Sequence, residues 1–393
     1  MDFVIPSLPQ DDFSLEQQVA RLQALLEASR QVHSTIRVGE VLTQAAKVLV
    51  QELEMEGALF LDPHTTTVTA SWGNAPHAPY ENSHRLPLLS KEKHVLAELI
   101  MTRPDAGPLS LYEEDFLEGL MLQTAVALEN ATLHERDLKW ARVQQDLDAA
   151  RTIQRSLLPS SMPQISGFSI AGRSNTCYEV GGDYLDTILL PDGTHLMVVA
   201  DVAGKGLASA IVATSFRAAL RSLASQPLAL DELAARICEQ HWGEGEEAQR
   251  RYVTAIFLRL EPDNGEIKVV NAGHNPGALL LPNGKIHLIE ASGTPLGMLP
   301  RVRYTVETLA FPKGSRVLLY TDGMTEVFRG EEEFGTDRLV AAFSETSSSN
   351  AGTILDSVWD SVNKFSCNAV QSDDMTALAI CHLNSSQQEF AAR

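Results

Sequence analysis

The sequence predicts an α+β protein in which a long helix joins two domains. Apolar residues recur at helical spacing near the N-terminus and again over residues 112–158. Short strand-like runs separate these helices, and many more follow from about residue 166, interrupted by grouped helical segments. At roughly 150 residues per domain, a chain of 393 residues has room for two or three domains.

The first part of the chain predicts two helices, four strands and the long helix. The second helix covers 38–53, and the strands cover 57–61, 66–72, 85–89 and 95–102. In the long helix the apolar residues Trp140, Val143, Leu147, Ala150 and Leu157 alternate by three and four positions, with Gln154 as the polar exception. That spacing is typical of a coiled coil. It predicts a dimer stalk, although a single helix packed on its own domain has the same pattern.

The second part of the chain predicts antiparallel sheets beneath helices. Turn pairs that favour hairpins, such as Asp192-Gly193 and Asn264-Gly265, separate neighbouring strands. The predicted strands cover 168–173, 184–190, 195–200, 254–260, 266–271, 278–281, 304–309, 316–321 and 376–382. The predicted helices cover 207–224, 230–242, 336–343 and 351–365.

Composition excludes several classes of function. The chain carries 51 acidic and 31 basic side chains, a net charge of −20. Binding to nucleic acid or to an anionic membrane needs basic patches, so neither is expected. The four cysteines form no CxxC pair, which argues against a disulfide framework or a structural zinc site. No signal peptide or membrane span is apparent, and the sequence predicts a cytoplasmic protein.

Four aspartates in the second part lie at predicted strand ends, next to glycines or other acids. They are Asp183, Asp201, Asp322 and Asp373. If they converge, two carboxylates 4 Å apart repel by about 4 kcal/mol at an effective dielectric of 20. Hard divalent cations such as Mg²⁺ or Mn²⁺ prefer oxygen ligands and relieve that repulsion. Two such ions can hold a phosphoryl group, so the aspartates predict a two-metal site.

Other catalytic patterns are missing from the sequence. No HxxxH or HExxH pair and no GxSxG motif occurs. The segment from Asp201 to Gly206 contains Lys205 but lacks the remaining residues of a P-loop. Lys205 and His274 are the two candidates for assisting the substrate. For His274 the favoured alternative is a turn histidine whose ring is satisfied by the backbone.

Residues from about 150 to 382 resemble the SpoIIE-type serine phosphatases, the bacterial branch of the metal-dependent phosphatases related to protein phosphatase 2C. Six motifs occur in the order typical of that family. They are Glu179-Val-Gly-Gly-Asp-Tyr-Leu-Asp186, Asp201-Val-Ala-Gly-Lys-Gly206, Asn271-Ala-Gly-His-Asn-Pro276, Thr294-Pro-Leu-Gly297, Thr321-Asp-Gly323 and Asp373-Asp-Met-Thr376.

The resemblance implies an α-β-β-α sandwich with two Mn²⁺ or Mg²⁺ ions at one sheet edge. It implies that Asp183 and Asp201 are ligands of the metal pair together with the carbonyl of Val202, and that Asp322 and Asp373 complete the set. The implied reaction is hydrolysis of phosphoserine or phosphothreonine on a protein by activated water, without a covalent intermediate.

The first part of the chain resembles a GAF domain, shortened between the second and third strands. The predicted organisation is a GAF-like sensor or dimerisation domain at 13–110, a linker helix or coiled coil at 111–158, and a SpoIIE-type phosphatase domain at 159–386. This pairing is similar to the RsbU-type regulators of sigma-factor partner switching. It implies a homodimer, a phosphorylated STAS anti-anti-sigma protein as substrate, and an activating partner at the N-terminal domain or the linker.

Two alternatives belong to other classes. One is a catalytically silent dimeric signalling scaffold, against which the four acidic positions argue. The other is a nucleotide cyclase, since Gly181-Gly182-Asp183 is similar to the start of the GGDEF signature. The following residues, Tyr184 and Leu185, depart from that signature.

Overall fold

The computed structural model describes residues 15–80, 83–104, 107–367 and 371–384. The chain divides into two compact units, residues 1–144 and 145–393. The division falls inside the predicted linker at 111–158, and the three domain boundaries drawn from the sequence stay predictions. Residues 13 and 14 and residues 385 and 386, at the ends of the predicted domains, lie outside the described residues.

The first unit contains one sheet and its helices. The helices are α1 (Leu15–Val32), α2 (Val38–Glu52) and the beginning of α3 (Leu111–Leu157), and the strands are β1 (Gly57–Leu61), β2 (Val68–Gly73), β3 (His84–Leu89) and β4 (Val95–Thr102). The strands pair antiparallel in the order β2-β1-β4-β3. Helix α1 covers the predicted amphipathic segment, and the other elements were predicted to within two residues at each end.

Strand β1 is buried on both faces of this sheet. Because side chains alternate along a strand, Phe60 packs into the core shared with the helices, while Leu59 and Leu61 point to the other face. On that second face they pack with Ala75 and Tyr80 from the segment after β2. The shortened segment therefore covers the sheet directly.

The described residues of the second unit form two five-stranded sheets, one two-stranded hairpin and five helices that follow the end of α3. Its strands are β5 (Phe168–Asn175), β6 (Tyr184–Leu189), β7 (His195–Val202), β8 (Val253–Glu261), β9 (Glu266–Ala272), β10 (Gly277–Leu280), β11 (Ile286–Ile289), β12 (Glu307–Ala310), β13 (Arg316–Tyr320), β14 (Phe328–Arg329), β15 (Glu332–Glu333) and β16 (Met375–His382). Its helices are α4 (Leu207–Ala224), α5 (Leu230–Gly243), α6 (Glu246–Gln249), α7 (Gly335–Glu345) and α8 (Ala351–Ser366). The short pair β14 and β15 forms a separate hairpin.

The two five-stranded sheets pack face to face. Their strand orders are β11-β10-β13-β16-β5 and β12-β9-β8-β7-β6, with antiparallel pairing throughout. Along β7, Met197 and Val199 face the other sheet, while Val198 and Ala200 face α4 and α5. Helices α7 and α8 cover the outer face of the sheet that contains β13 and β16. The result is the predicted α-β-β-α sandwich.

Three local expectations need correction. Asp201 does not follow its strand but lies within it, because β7 continues to Val202. The strand predicted at 304–309 is shorter and begins at Glu307. Strand β11 was missed, since its four residues are too few for a clear alternating pattern.

Helix α4 is long and apolar enough, by length and composition alone, to cross a membrane. From the sequence, the uncharged run from Gly206 to Phe216 is too short to span a bilayer. The helix packs Phe216 and Leu220 into the core beneath the sheet. A core helix of a globular domain has this combination of features.

Candidate metal centre

Asp183 and Asp201 face each other where β6 begins and β7 ends. Tyr184 pairs with Ala200 in the antiparallel ladder, so the next residues outward on the two strands are Asp183 and Asp201. Their carboxyl groups are close enough for each to affect the pKa of the other. The sequence predicted this pair, and the register of the two strands explains it.

Burial makes two adjacent carboxylates unfavourable. Burial and then the charge of Asp201 raise the pKa of Asp183 well above its usual range. Burial, followed by three neighbouring carboxylates, raises the pKa of Asp201 to about 7. At neutral pH the pair must therefore share a proton or bind a cation.

Asp322 and Asp373 come from the other sheet. Tyr320 at the end of β13 pairs with Ala377 near the start of β16, so the residues beyond these strands lie at the same edge. Asp322 opens a short 3-10 turn after β13, and Asp373 precedes β16. Burial and the charge of Asp373 raise the pKa of Asp322. Both carboxylates also raise the pKa of Asp201, which brings the two sheet edges into one electrostatic cluster.

The backbone carbonyl of Val202 lies against Gly182. A Cβ atom at Gly182 would stand 2.9 Å from the Val202 oxygen and 3.4 Å from Oδ1 of Asp201. A larger residue would therefore crowd both candidate ligands. The second glycine of the Gly181-Gly182-Asp183 motif is required here by close approach.

The donor set fits a hard divalent cation. It consists of carboxylate oxygens and one backbone carbonyl, which suit Mg²⁺ or Mn²⁺. Among the described residues, no three His, Cys, Asp or Glu side chains already surround one point. The raised pKa values of Asp183 and Asp201 are the signature expected where a cation is needed.

Lys205 lies beside Asp373 and Ser372. Its Nζ stands 2.8 Å from Oδ2 of Asp373 and donates to the backbone oxygen of Ser372 at 2.8 Å. The hydrogen bond to Asp373 raises the pKa of the lysine, so it stays charged. Its side chain is 48% exposed, which leaves the ammonium group accessible to an anionic substrate.

His274, the other candidate for substrate contact, is placed differently. Its side chain is buried. Nδ1 lies 2.8 Å from the hydroxyl of Thr254, and Nε2 lies 2.9 Å from the carbonyl oxygen of Tyr320. Burial lowers its pKa to about 4. With both ring nitrogens occupied, this neutral histidine supports the strand that leads to Asp322, and a role in substrate contact was the wrong expectation.

Two residues that orient the ligands were missed. The hydroxyl of Thr321 donates to Oδ2 of Asp183 at 2.8 Å and accepts from the backbone N–H of Thr376 at 3.0 Å. The carboxylate of Asp374 accepts from the backbone of Cys177 and Gly182. Both residues stand beside predicted ligands in the sequence, but their partners are far away along the chain, so spacing alone could not assign these contacts.

A cavity of about 180 Å³ opens beside Asp322 and Asp373. Gly323 and Ser372, their immediate neighbours, form part of its wall. Its apolar lining comes from Val327, Phe328, Val362 and Met375. The aspartates are thus next to a concave surface of mixed polarity.

Comparison with known families and proteins shows what this unit is similar to. Residues 191–383 match the family Stage II sporulation protein E (SpoIIE). Two Bacillus subtilis proteins named phosphoserine phosphatases are similar. RsbU is 25% identical over 289 residues, covering 72% of this chain and 83% of RsbU. RsbP is 27% identical over 185 residues, covering 46% of this chain and 45% of RsbP.

The chain spans less than half the length of the two curated relatives it matches first, 46% and 45%. Among solved structures, the SiaA-PP2C domain of Pseudomonas aeruginosa is similar with a TM-score of 0.53. It is 18% identical, and the match covers 61% of this chain and 97% of that domain. This likeness confirms the predicted sandwich fold. The relation of the first unit to GAF domains stays a prediction.

Proposed function

We propose that this protein is a metal-dependent protein serine/threonine phosphatase acting on phosphoserine of a regulatory protein. Support comes from the match of residues 191–383 to the SpoIIE family and from the fold shared with a PP2C domain. The observation that carries the proposal is the contact between Asp183 and Asp201 inside a larger group of aspartates. A pair of buried acids in contact is unfavourable unless a proton or cation is shared.

Each residue of the centre then has a role. Asp183, Asp201 and the carbonyl of Val202 would hold the metal pair, with Asp322 and Asp373 as further ligands. Bound Mn²⁺ or Mg²⁺ ions supply a Lewis acid that activates water and stabilises charge on the phosphoryl group. Lys205 neutralises Asp373 and presents its ammonium group to the phosphate. Thr321 fixes the orientation of Asp183 through its hydrogen bond.

The proposed substrate is a phosphorylated STAS-type anti-anti-sigma protein. The similarity to RsbU and RsbP, both named phosphoserine phosphatases, supports a phosphoserine substrate. The cavity beside Asp322 and Asp373 offers apolar surface for residues next to the phosphoserine. We place this reaction in cytoplasmic signalling, with neither nucleic acid nor membrane as a partner.

The first unit and helix α3 are proposed to control the phosphatase as a GAF-like module in a homodimer. Support comes from the apolar residues Leu133, Trp140 and Val143, which follow the predicted seam and are exposed in the single chain. An activating partner would bind this module or the helix. A coupling of about 1–3 kcal/mol would suffice for such a switch.

The direct test is hydrolysis of p-nitrophenyl phosphate and of a phosphoserine STAS protein by the full chain. We expect turnover with Mn²⁺ or Mg²⁺ and none with EDTA. The variant Asp201→Ala serves as the inactive control. Absence of turnover with either substrate, together with absence of metal binding, would favour the silent scaffold.

A further inference from the structure

The loop of residues 177–183, which carries Asp183, has no regular secondary structure. Its backbone N–H and C=O groups cannot be satisfied by a ladder or a helix, and each one that is buried needs another partner. The partners it uses therefore decide where the carboxylate of Asp183 stands.

Asp374 supplies the first set of partners. Its Oδ1 accepts from the backbone N–H of Cys177 at 2.7 Å, and its Oδ2 accepts from that of Gly182 at 2.8 Å. One buried carboxylate thus spans the loop from its beginning to the residue before Asp183. The approach is close, because a Cβ atom at Gly181 would stand 2.2 Å from Oδ2 of Asp374.

Gln154 in the last turns of α3 supplies the second set. Its Nε2 donates to the backbone oxygen of Gly181 at 2.7 Å, and its Oε1 accepts from the backbone N–H of the same residue at 3.2 Å. The side-chain amide therefore pairs with both polar groups of one peptide residue, as a neighbouring strand would. This contact explains why a polar residue interrupts the apolar seam of the helix.

The end of α3 is itself fixed within the second unit. The guanidinium Nε of Arg217 on α4 donates to the carbonyl oxygen of Leu157 at 2.9 Å. Leu158 packs against the core between the β7 sheet and helices α4 and α5. Gln154 thus reaches the loop from an anchored helix end, and the loop is held from both sides.

We propose that Gln154 and Asp374 are positioning residues that set the loop geometry, and through it the metal affinity of Asp183. This inference rests on the proposed function in that it takes Asp183 as a metal ligand. Neither side chain needs to touch the metal or the substrate. Their action is to satisfy the backbone of the two glycines that precede the ligand.

Gln154→Met tests the amide with little other change. Methionine has similar length and helix propensity but cannot pair with Gly181, and the net charge is unchanged. Loss of residues that orient metal ligands weakens metal binding by about 10- to 100-fold, and we expect about tenfold weaker Mn²⁺ binding to the full chain. The matched control is Gln145→Met, at an exposed glutamine of the same helix.

Asp374→Asn tests the carboxylate, because asparagine has the same shape as aspartate but carries an amide. One amide oxygen replaces two acceptors, so either Cys177 or Gly182 loses its partner. Because the substitution also removes a charge, it is combined with Gln154→Met. If both residues hold one loop, the double variant should lose less affinity than the product of the two single losses. If Asp374→Asn acts only through the lost charge, the affinity loss of the double variant should instead equal the product of the two single losses.

The measurements are the dissociation constant of Mn²⁺, by calorimetry, and the melting temperature in EDTA. A positioning role predicts weaker Mn²⁺ binding and near wild-type turnover of p-nitrophenyl phosphate once Mn²⁺ is saturating. Unchanged Mn²⁺ affinity in Gln154→Met, or a lower melting temperature with unchanged affinity, would overturn the proposal. These readouts do not require phosphatase activity. A wild-type chain that binds Mn²⁺ without turnover would count against the proposed function while leaving the positioning result to stand.

Discussion

The two units bury polar groups to very different extents. Among the described residues of the first unit, Thr124 is the one buried polar side chain, and its hydroxyl is satisfied by the carbonyl oxygen of Leu120. The second unit buries Asp183, Asp186 and Asp374 together with several other polar residues. Burying a charge is unfavourable unless it is paired or binds an ion. The contrast therefore locates chemistry in the second unit and packing in the first.

Within the second unit the buried acids are of two kinds. Asp186 has a complete set of partners: Tyr184, the backbone N–H of Thr187 and the guanidinium group of Arg221. Asp183 and Asp201 instead face each other and further acids. A satisfied acid stabilises the fold, whereas acids left facing one another indicate a site that needs a cation.

The largest expected effect is loss of catalysis on removing a ligand from the centre. Asp201→Ala and Asp322→Ala should each lower turnover by about 1,000-fold or more, which corresponds to about 4 kcal/mol of barrier. The fold should persist, because each change relieves repulsion among the aspartates. Turnover with Mn²⁺ and the melting temperature in EDTA are the two measurements. The control is Asp62→Ala in the first unit, where the carboxylate of Asp62 caps a turn. Retention of most activity in Asp201→Ala or Asp322→Ala would refute the metal assignment.

The next effect concerns the satisfied acid. Arg221→Ala should lower the free energy of unfolding by about 3 kcal/mol, since it leaves Asp186 buried without its guanidinium partner. Arg221 donates to both carboxylate oxygens at 2.8 and 2.7 Å. Asp186→Asn should be milder, because the buried charge disappears with the pair. Urea unfolding measures both, and equal losses would contradict this reasoning.

Much of this centre was predictable from the sequence, and the reasons are local. Asp183, Asp201, Asp322 and Asp373 stand at or near strand ends, and strand alternation and turn pairs locate those ends. Contacts that cross the fold were not predictable. The partners of Asp374 are nearly two hundred residues away, and the reason for Gln154 in the seam appears only when Gly181 lies beside it. His274 shows the reverse error, because sequence cannot reveal that both ring nitrogens are already occupied.

A pH dependence of opposite sign should distinguish the two units. The pKa of Asp201 is raised to about 7, against about 3.9 when unfolded. The folded state therefore binds more protons in this window, and the stability contributed by this group falls as pH rises from about 4 to about 7. For Asp62, backbone N–H groups of Thr65 and His64 lower the pKa. Its contribution is present above the unfolded pKa and is lost as pH falls.

The measurement is the melting temperature in EDTA from pH 4 to pH 8 for the wild type, Asp201→Asn and Asp62→Asn. The stability of Asp201→Asn relative to the wild type should increase as pH rises through this window. Asp62→Asn should show no such increase, and its difference from the wild type should shrink towards the acid end. Parallel curves for the wild type and Asp201→Asn would show that the acids at the centre do not titrate as described.

The smallest expected effect on the single chain comes from substitutions in α3. The same substitutions test whether the first unit is a dimerisation module. Val143 lies on the predicted seam and is 49% exposed, whereas Leu138 is 58% exposed and lies off the seam. Exposed substitutions of this kind change stability by about 0.5 kcal/mol or less, so neither Val143→Ser nor Leu138→Ser should unfold the chain. If two copies pair through the seam, Val143→Ser should shift the dimer towards monomer in analytical ultracentrifugation, and Trp140→Ser more so, while Leu138→Ser should not. Equal behaviour of the on-seam and off-seam variants would mean that the apolar spacing of α3 does not serve pairing with a second copy. Any control of the phosphatase by the first unit would then have to work without a coiled coil.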